Sequence, residues 1–174
     1  MRRLCLALAL GSLLVAVLAP ATLATTTKYP VRASGEVQIV DPGVVTTDMS
    51  TYYSVRGQRT SQDVTFTYPE GGLGNAYTTG HEVSLVNFDL DLVTATGVLW
   101  ATETFTFPDE SQMSCSLEGT FAQDFTYQFQ VWSGHMVCHG TGSLRGWQER
   151  FDVAYDNGDA SSAGYIFLPG DKTH

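Results

Sequence analysis

The densest group of side chains able to do chemistry lies in WSGHMVCHGTGSLRGW, Trp132 to Trp147. It holds His135, Cys138 and His139, three nitrogen and sulfur donors of the kind that bind zinc, among four glycines. Read as a strand from His135 to Arg145, however, the segment divides by parity. His135, Val137, His139, Thr141, Ser143 and Arg145 take one face, and Met136, Cys138, Gly140, Gly142 and Leu144 take the other. Cys138 then points away from both histidines. A metal would need a third ligand from elsewhere, His81 or an acidic strand, because tetrahedral sites need convergent donors. Exposed or hydrogen-bonded histidines are the simpler expectation, and no metal site is assigned.

Other chemistries are weaker still. His139-Gly140-Thr141-Gly142 has the glycine-rich look of a lipase oxyanion segment, but the chain has no Gly-x-Ser-x-Gly elbow. Gly140 to Gly146 is not followed by a helical pattern, so a phosphate cradle would lack its helix N-terminus. A haem attachment site fails for want of a cysteine three residues before Cys138. No cofactor is expected. The smaller, apolar face is best explained as packing, with Gly140 and Gly142 letting the strand coil or admit large side chains from across a barrel.

Three sets of acids carry a possible function. Glu149 shares its face with Trp147, Phe151, Val153 and Tyr155. If that face lines a cavity, desolvation would raise its pKa and make it a weak candidate general acid; if the chain bends out at Gly146, it is merely exposed. Asp89 and Asp91, on one face with Asn87, could bind calcium or act as an acid–base pair, but a solvated strand face explains them better. Asp156 to Asp159, DNGD, lacks the longer calcium-loop pattern and reads as a turn.

These residues must be positioned by strands. No segment sustains helical periodicity, whereas alternation recurs in DVTFTY, VNFDLDL, ETFTF, FTYQFQV and WQERFDVAY. Turn chemistry separates the runs at Asp41-Pro42-Gly43, Pro69 to Gly72, Pro108-Asp109-Glu110, Ser133-Gly134 and Asp156 to Asp159, with Asn157-Gly158 the strongest hairpin signal. Gly71 to Gly80 reads as an exposed loop. About eight long strands joined by short turns predict an all-β, single antiparallel, eight-stranded barrel, with a β-sandwich as the alternative. Such a barrel is wide enough for packed side chains or one small ligand.

The first residues stand apart. Arg2 and Arg3, an apolar run from Leu4 to Ala19, and small residues around Pro20 to Ala24 form a secretory signal peptide, residues 1–24. The run is shorter than the ~20 apolar residues of a membrane span. Residues 25–174 are then one β-barrel domain, secreted or otherwise extracytoplasmic, with no transmembrane span after processing. Its seven Lys and Arg against eighteen Asp and Glu give a formal charge of −11. Nucleic acid and anionic membrane require a basic face, so neither is expected as a partner.

Only Cys115 and Cys138 remain after processing, and export favours a bridge between them. Both occupy inward-facing parities. Yet if Ser133-Gly134 closes a hairpin, Cys138 pairs near Phe129 and not near Cys115, too far for the ~7 Å that a disulfide allows. Bridge and free buried thiols both stay open.

MVCHGTGSLRG, Met136 to Gly146, resembles the Gly-Thr-Gly strand of dirigent proteins and the related allene oxide cyclase barrels. Gly140, Thr141, Gly142, Leu144 and Arg145 match the dirigent pattern, and LEGTF, Leu117 to Phe121, fits the strand before it. The resemblance covers about a dozen residues. It implies an eight-stranded antiparallel barrel with an apolar central cavity; the families' activities are stereoselective radical coupling and cyclisation of an unstable epoxide. No active-site residue of theirs falls on a recognisable position here, and fold likeness alone does not transfer an activity.

Three functions therefore compete. The barrel binds a small apolar or aromatic ligand; or it is a dirigent- or cyclase-type enzyme acting on a small hydrophobic molecule; or it is a structural or interaction module with a filled core. The contents of the interior decide among them. A filled one removes the first two, a cavity without titratable groups favours binding, and a buried acid facing the cavity favours an enzyme.

Overall fold

A computed structural model describes residues 27–68, 77–124, 129–156 and 159–168. Ten strands follow in chain order: β1 Thr27–Glu36, β2 Gln38–Asp41, β3 Val44–Thr47, β4 Tyr52–Thr67, β5 Thr79–Asp91, β6 Thr96–Thr106, β7 Gln112–Asp124, β8 Phe129–Thr141, β9 Gln148–Asp156 and β10 Asp159–Leu168. Among the described residues there is no α-helix, only a 3-10 turn at Gly142–Leu144. Residues 1–24, expected from sequence to be a signal peptide, most of the Gly71 to Gly80 loop, Pro69 to Gly72, Phe125 to Gln128 and Asn157-Gly158 lie outside the described residues.

From β4 to β10 each strand pairs antiparallel with its successor, and β1 closes the circle by pairing with both β10 and β4. The result is a closed eight-stranded antiparallel barrel, as the alternation and short turns predict, and not a sandwich. Closure removes the free edges that an open sheet would expose. The closing β1–β4 pairing is short, Arg32 to Gly35 against Thr67 to Val64; β2 and β3 then continue along β4 outside the closed ring. Asp41-Pro42-Gly43 breaks that continuation, as its turn chemistry requires, with Gly43 at a positive φ of 72°.

Strand tilt governs where side chains arrive. Following paired residues around the barrel from Val31 through Gly164, Phe151, Met136, Leu117, Ala101 and Val86 leads to Gln58. Gln58 is next to Arg59, whose partner is Asp41, about ten residues beyond the starting point. A row of paired residues therefore climbs along the barrel axis as it circles. Neighbours in one row can end in different layers of the interior.

One end is solid. Phe66 packs against Phe105 and Phe107 with ring centroids 5.7 and 5.6 Å apart, and Tyr77 contacts Phe107 and Trp147 at 5.2 and 5.3 Å. Met113, Cys138 and Leu144 are fully buried there. The glycine-rich segment builds this end, though not as the continuous strand to Arg145 that parity suggests. β8 stops at Thr141, and the chain turns through Gly142 at φ 59°, so Gly142 leaves the packing face. Leu144 tucks inward, and Gly140 N–H donates to the Trp147 carbonyl at 3.0 Å. A Cβ on Gly140 would sit 2.1 Å from the Leu144 carbonyl oxygen, which accounts for the glycine there.

Ser133-Gly134 is not a turn. Gly134 lies within β8 opposite Gly119, where a Cβ would sit 2.4 Å from the Glu118 carbonyl oxygen. The glycine signals a close approach of two strands, which in sequence looks the same as a bend. This correction resolves the cysteines. With β7 and β8 paired from Gln112–Thr141 onward, Cys115 faces Cys138 directly, and their sulfurs are 2.01 Å apart. The bridge closes a loop with a sequence separation of 23, for which loop entropy contributes about 3 kcal/mol.

The Asn157-Gly158 signal agrees with its flanks: β9 ends at Asp156 and β10 begins at Asp159, and these two residues pair.

Candidate functional site

The other end of the barrel is hollow. A cavity of about 490 Å³ opens there, and its walls come from β4 to β10 together with β1 and the β2–β3 segment. Aromatic rings line its outer part. Phe88 stacks on Phe121 at 5.3 Å and on Tyr53 at 6.1 Å, and Trp132 stacks on Tyr155 at 5.6 Å. Leu90, Leu99, Val86, Leu117 and Met136 continue the apolar wall inward, and Val64 and Phe105 form part of its floor. Aromatic and aliphatic walls of this size suit one small molecule.

Near the floor the lining turns polar. Glu82 on β5 and Glu103 on β6 both face the cavity and are only 7% and 8% exposed. Glu82 is held by two donors: Gln62 Nε2 at 2.7 Å and Ser84 Oγ at 2.6 Å. Burial pushes its carboxyl above the ordinary range, and those two hydrogen bonds oppose the shift. Glu103 has no such support. Among the described residues no hydrogen bond reaches its carboxyl, and none joins it to Glu82. Burial, and then the charge of Glu82, push Glu103 well above the ordinary carboxylate range. Two neighbouring carboxyls in a poorly solvated site cannot both ionise cheaply, so the pair favours retaining a proton, on Glu103 before Glu82. Every described Lys, Arg and His is exposed, and of these only His81, on the outer face of β5, acts on the pair, through Glu82.

Register explains how the acids arrive. Thr60, Ser84, Glu103, Cys115, Cys138 and Glu149 are successive partners on β4 to β9. Because the row climbs with the tilt, its first three members reach the cavity and its last three are packed in the solid end. Glu149, the acid singled out from sequence, is thus inward-facing and 1% exposed but does not line the cavity. Neither of its carboxyl oxygens has a hydrogen-bond partner. Desolvation alone raises its pKa to about 8, and its charge adds to the burial that pushes the Tyr68 phenol up.

Alternation already held the signal for the cavity acids. In WATETFTF, Glu103 shares parity with Phe105 and Phe107; in HEVSLVNF, Glu82 shares it with Ser84, Val86 and Phe88. An acid in the inward register of an aromatic strand is the pattern that drew attention to Glu149, and it occurs twice more.

The remaining candidates are not brought together. His135 lies on the outer face of β8, 2.6 Å from Asp152, and His139 is exposed on the same face. His81 is on the outside of β5, between Asp63 at 2.9 Å and Ser61 at 3.2 Å. Among the described residues no group of three or more His, Cys, Asp or Glu could hold a metal. Asp89 receives a two-pronged contact from Arg56 at 2.7 and 2.9 Å and a hydrogen bond from Ser54. Asp91 instead accepts from the backbone of Val93 and Thr94 in the β5–β6 turn, so the two aspartates work separately.

Comparison with protein-family models, curated proteins and solved structures finds no match to this chain. No described helix is long and apolar enough to cross a membrane.

Proposed function

We propose that this protein is an extracytoplasmic barrel that binds a small, predominantly apolar or aromatic molecule in its interior. The cavity carries the reading: about 490 Å³ of space walled by stacked aromatic rings is what a filled structural core would lack. A signal peptide at residues 1–24 and the Cys115–Cys138 bridge agree with an oxidising compartment outside the cytoplasm. Titration with the neutral fluorophore N-phenyl-1-naphthylamine tests it. Saturable uptake near one per chain, lost when Val86→Trp fills the cavity, supports the reading. Absence of uptake, or uptake indifferent to the filling, refutes it.

A second reading, an enzyme of dirigent or cyclase type acting on a small hydrophobic molecule, is favoured by Glu103. A buried carboxyl that faces an apolar cavity and holds its proton more tightly than usual suits a general acid. The molecule extracted from protein isolated from its native host supplies the compound to test. Conversion by the wild type, lost in Glu103→Gln at unchanged affinity, supports catalysis. Binding without conversion leaves the barrel as a carrier.

A further inference from the structure

The polar floor of the cavity is unusual in what it offers a ligand. Two of its donors, Gln62 Nε2 and Ser84 Oγ, are already committed to Glu82, and the neighbouring Thr60 adds only an uncharged hydroxyl. Glu103, more than nine-tenths buried and lining the cavity, has no partner at all among the described residues. The floor therefore presents acceptors without free basic groups to match them. A molecule completing it must bring several donors and, to satisfy two adjacent carboxyls, a positive charge. A primary ammonium has three N–H donors and that charge.

Depth sets the rest of the ligand. Six residues of β6 separate Gly97, beside the β5–β6 turn at the hollow end, from Glu103. At ~3.3 Å per residue and a strand tilt of ~40°, the floor lies about 15 Å below the rim. Between them the lining is apolar and aromatic, with Phe88, Phe121, Trp132 and Tyr155 toward the mouth.

We propose that Glu82 and Glu103 form an ammonium-recognition site at the base of the cavity, and that the barrel binds an elongated amine with an apolar or aromatic body. The inference rests on the cavity-binding reading above and specifies its ligand class. Binding is an exchange. The carboxyl pair, carrying one proton and one negative charge, accepts the ammonium, and the proton leaves to solvent; charge is conserved on both sides. The surroundings favour that exchange. β4 contributes uncharged Thr60 and Gln62 and β7 the bridged Cys115, while Glu149 lies beyond the disulfide. Of the groups that can become positive, only His81, exposed on the outer face of β5, acts on Glu82.

Calorimetry with 6-phenylhexylamine and its neutral counterpart 6-phenylhexan-1-ol tests the proposal, with N-phenyl-1-naphthylamine uptake as control. The amine should bind about tenfold or more tightly than the alcohol. Repeating the titration at pH 7 in buffers of different ionisation enthalpy should reveal release of up to one proton per amine. Glu103→Gln and Glu82→Gln, checked for native circular dichroism and retained fluorophore uptake, should each reduce the preference to about twofold or less, and Glu103→Gln should abolish proton release. Equal affinity for amine and alcohol, or a preference surviving both substitutions, overturns the ammonium site. If the fluorophore enters and the amine does not, the ammonium site fails while the cavity reading stands. If nothing enters, both fall.

Discussion

The two ends of the barrel are built from the same strands and the same alternation, yet one is solid and the other hollow. At the solid end Phe66, Phe107, Tyr77 and Trp147 pack in a chain of ring contacts, and Leu144, which the turn at Gly142 folds inward, joins the same core. At the hollow end comparable rings stack along the wall in pairs, Phe88 on Phe121 and Trp132 on Tyr155. The difference lies in the β8–β9 connection, which turns Leu144 and Trp147 into the core. At the solid end that connection adds Leu144 and Trp147 to the rings of the strands; at the hollow end the rings line the cavity wall. The three buried acids divide along the same line. Glu149 is desolvated in packed protein, whereas Glu82 and Glu103 are desolvated beside space that a ligand can occupy.

The sharpest way to break this comparison is to remove the same ring from each end. Phe107→Ala should cost about 3–5 kcal/mol, because its neighbours are close-packed and cannot collapse into the void. Phe121→Ala borders existing space and should cost only about 1–2 kcal/mol while weakening uptake of the fluorophore. Chemical denaturation of both variants measures the contrast; equal losses would mean that the hollow end collapses onto its rings.

Glu149 gives an intermediate effect with a definite sign. Its folded pKa of about 8 exceeds its unfolded value near 4.5, so the folded state binds more protons across that interval. Its contribution is fully present below about pH 4.5, declines as pH rises, and is lost above about pH 8. Between about pH 6 and pH 8 the wild type should lose about 2 kcal/mol relative to Glu149→Gln. Parallel thermal melts across that range read the difference, and parallel curves for the two proteins would show Glu149 to be solvated after all.

The smallest effect is expected outside the barrel. His135 and Asp152 are in contact, but their side chains are 85% and 81% exposed. Asp152→Ala should leave the melting temperature within about a degree of wild type, since water screens such pairs. A larger shift would show that the outer face of β8 takes part in the packing distinction drawn above.

Much of this was legible in residue order. Alternation in DVTFTY, VNFDLDL and ETFTF predicts the strands, and the short turns between them predict a closed meander, because local patterning decides which face of each strand is buried. The inward parity of Cys115, Cys138, Glu149 and Glu103 is read the same way. Gly134 was misleading because a glycine that permits two backbones to touch and one that permits a bend are the same letter. That error moved the predicted β7–β8 register and left the disulfide undecided.

Tertiary structure alone decided what those inward faces enclose. Parity says that a side chain points into the barrel but not at what height, since height depends on the stagger accumulated around eight tilted strands. That stagger sends Glu103 to the cavity and Glu149, three strands further along one paired row, into the solid end. Sequence determined that the barrel would bury acids; the climb of the row determined which of them a ligand can meet.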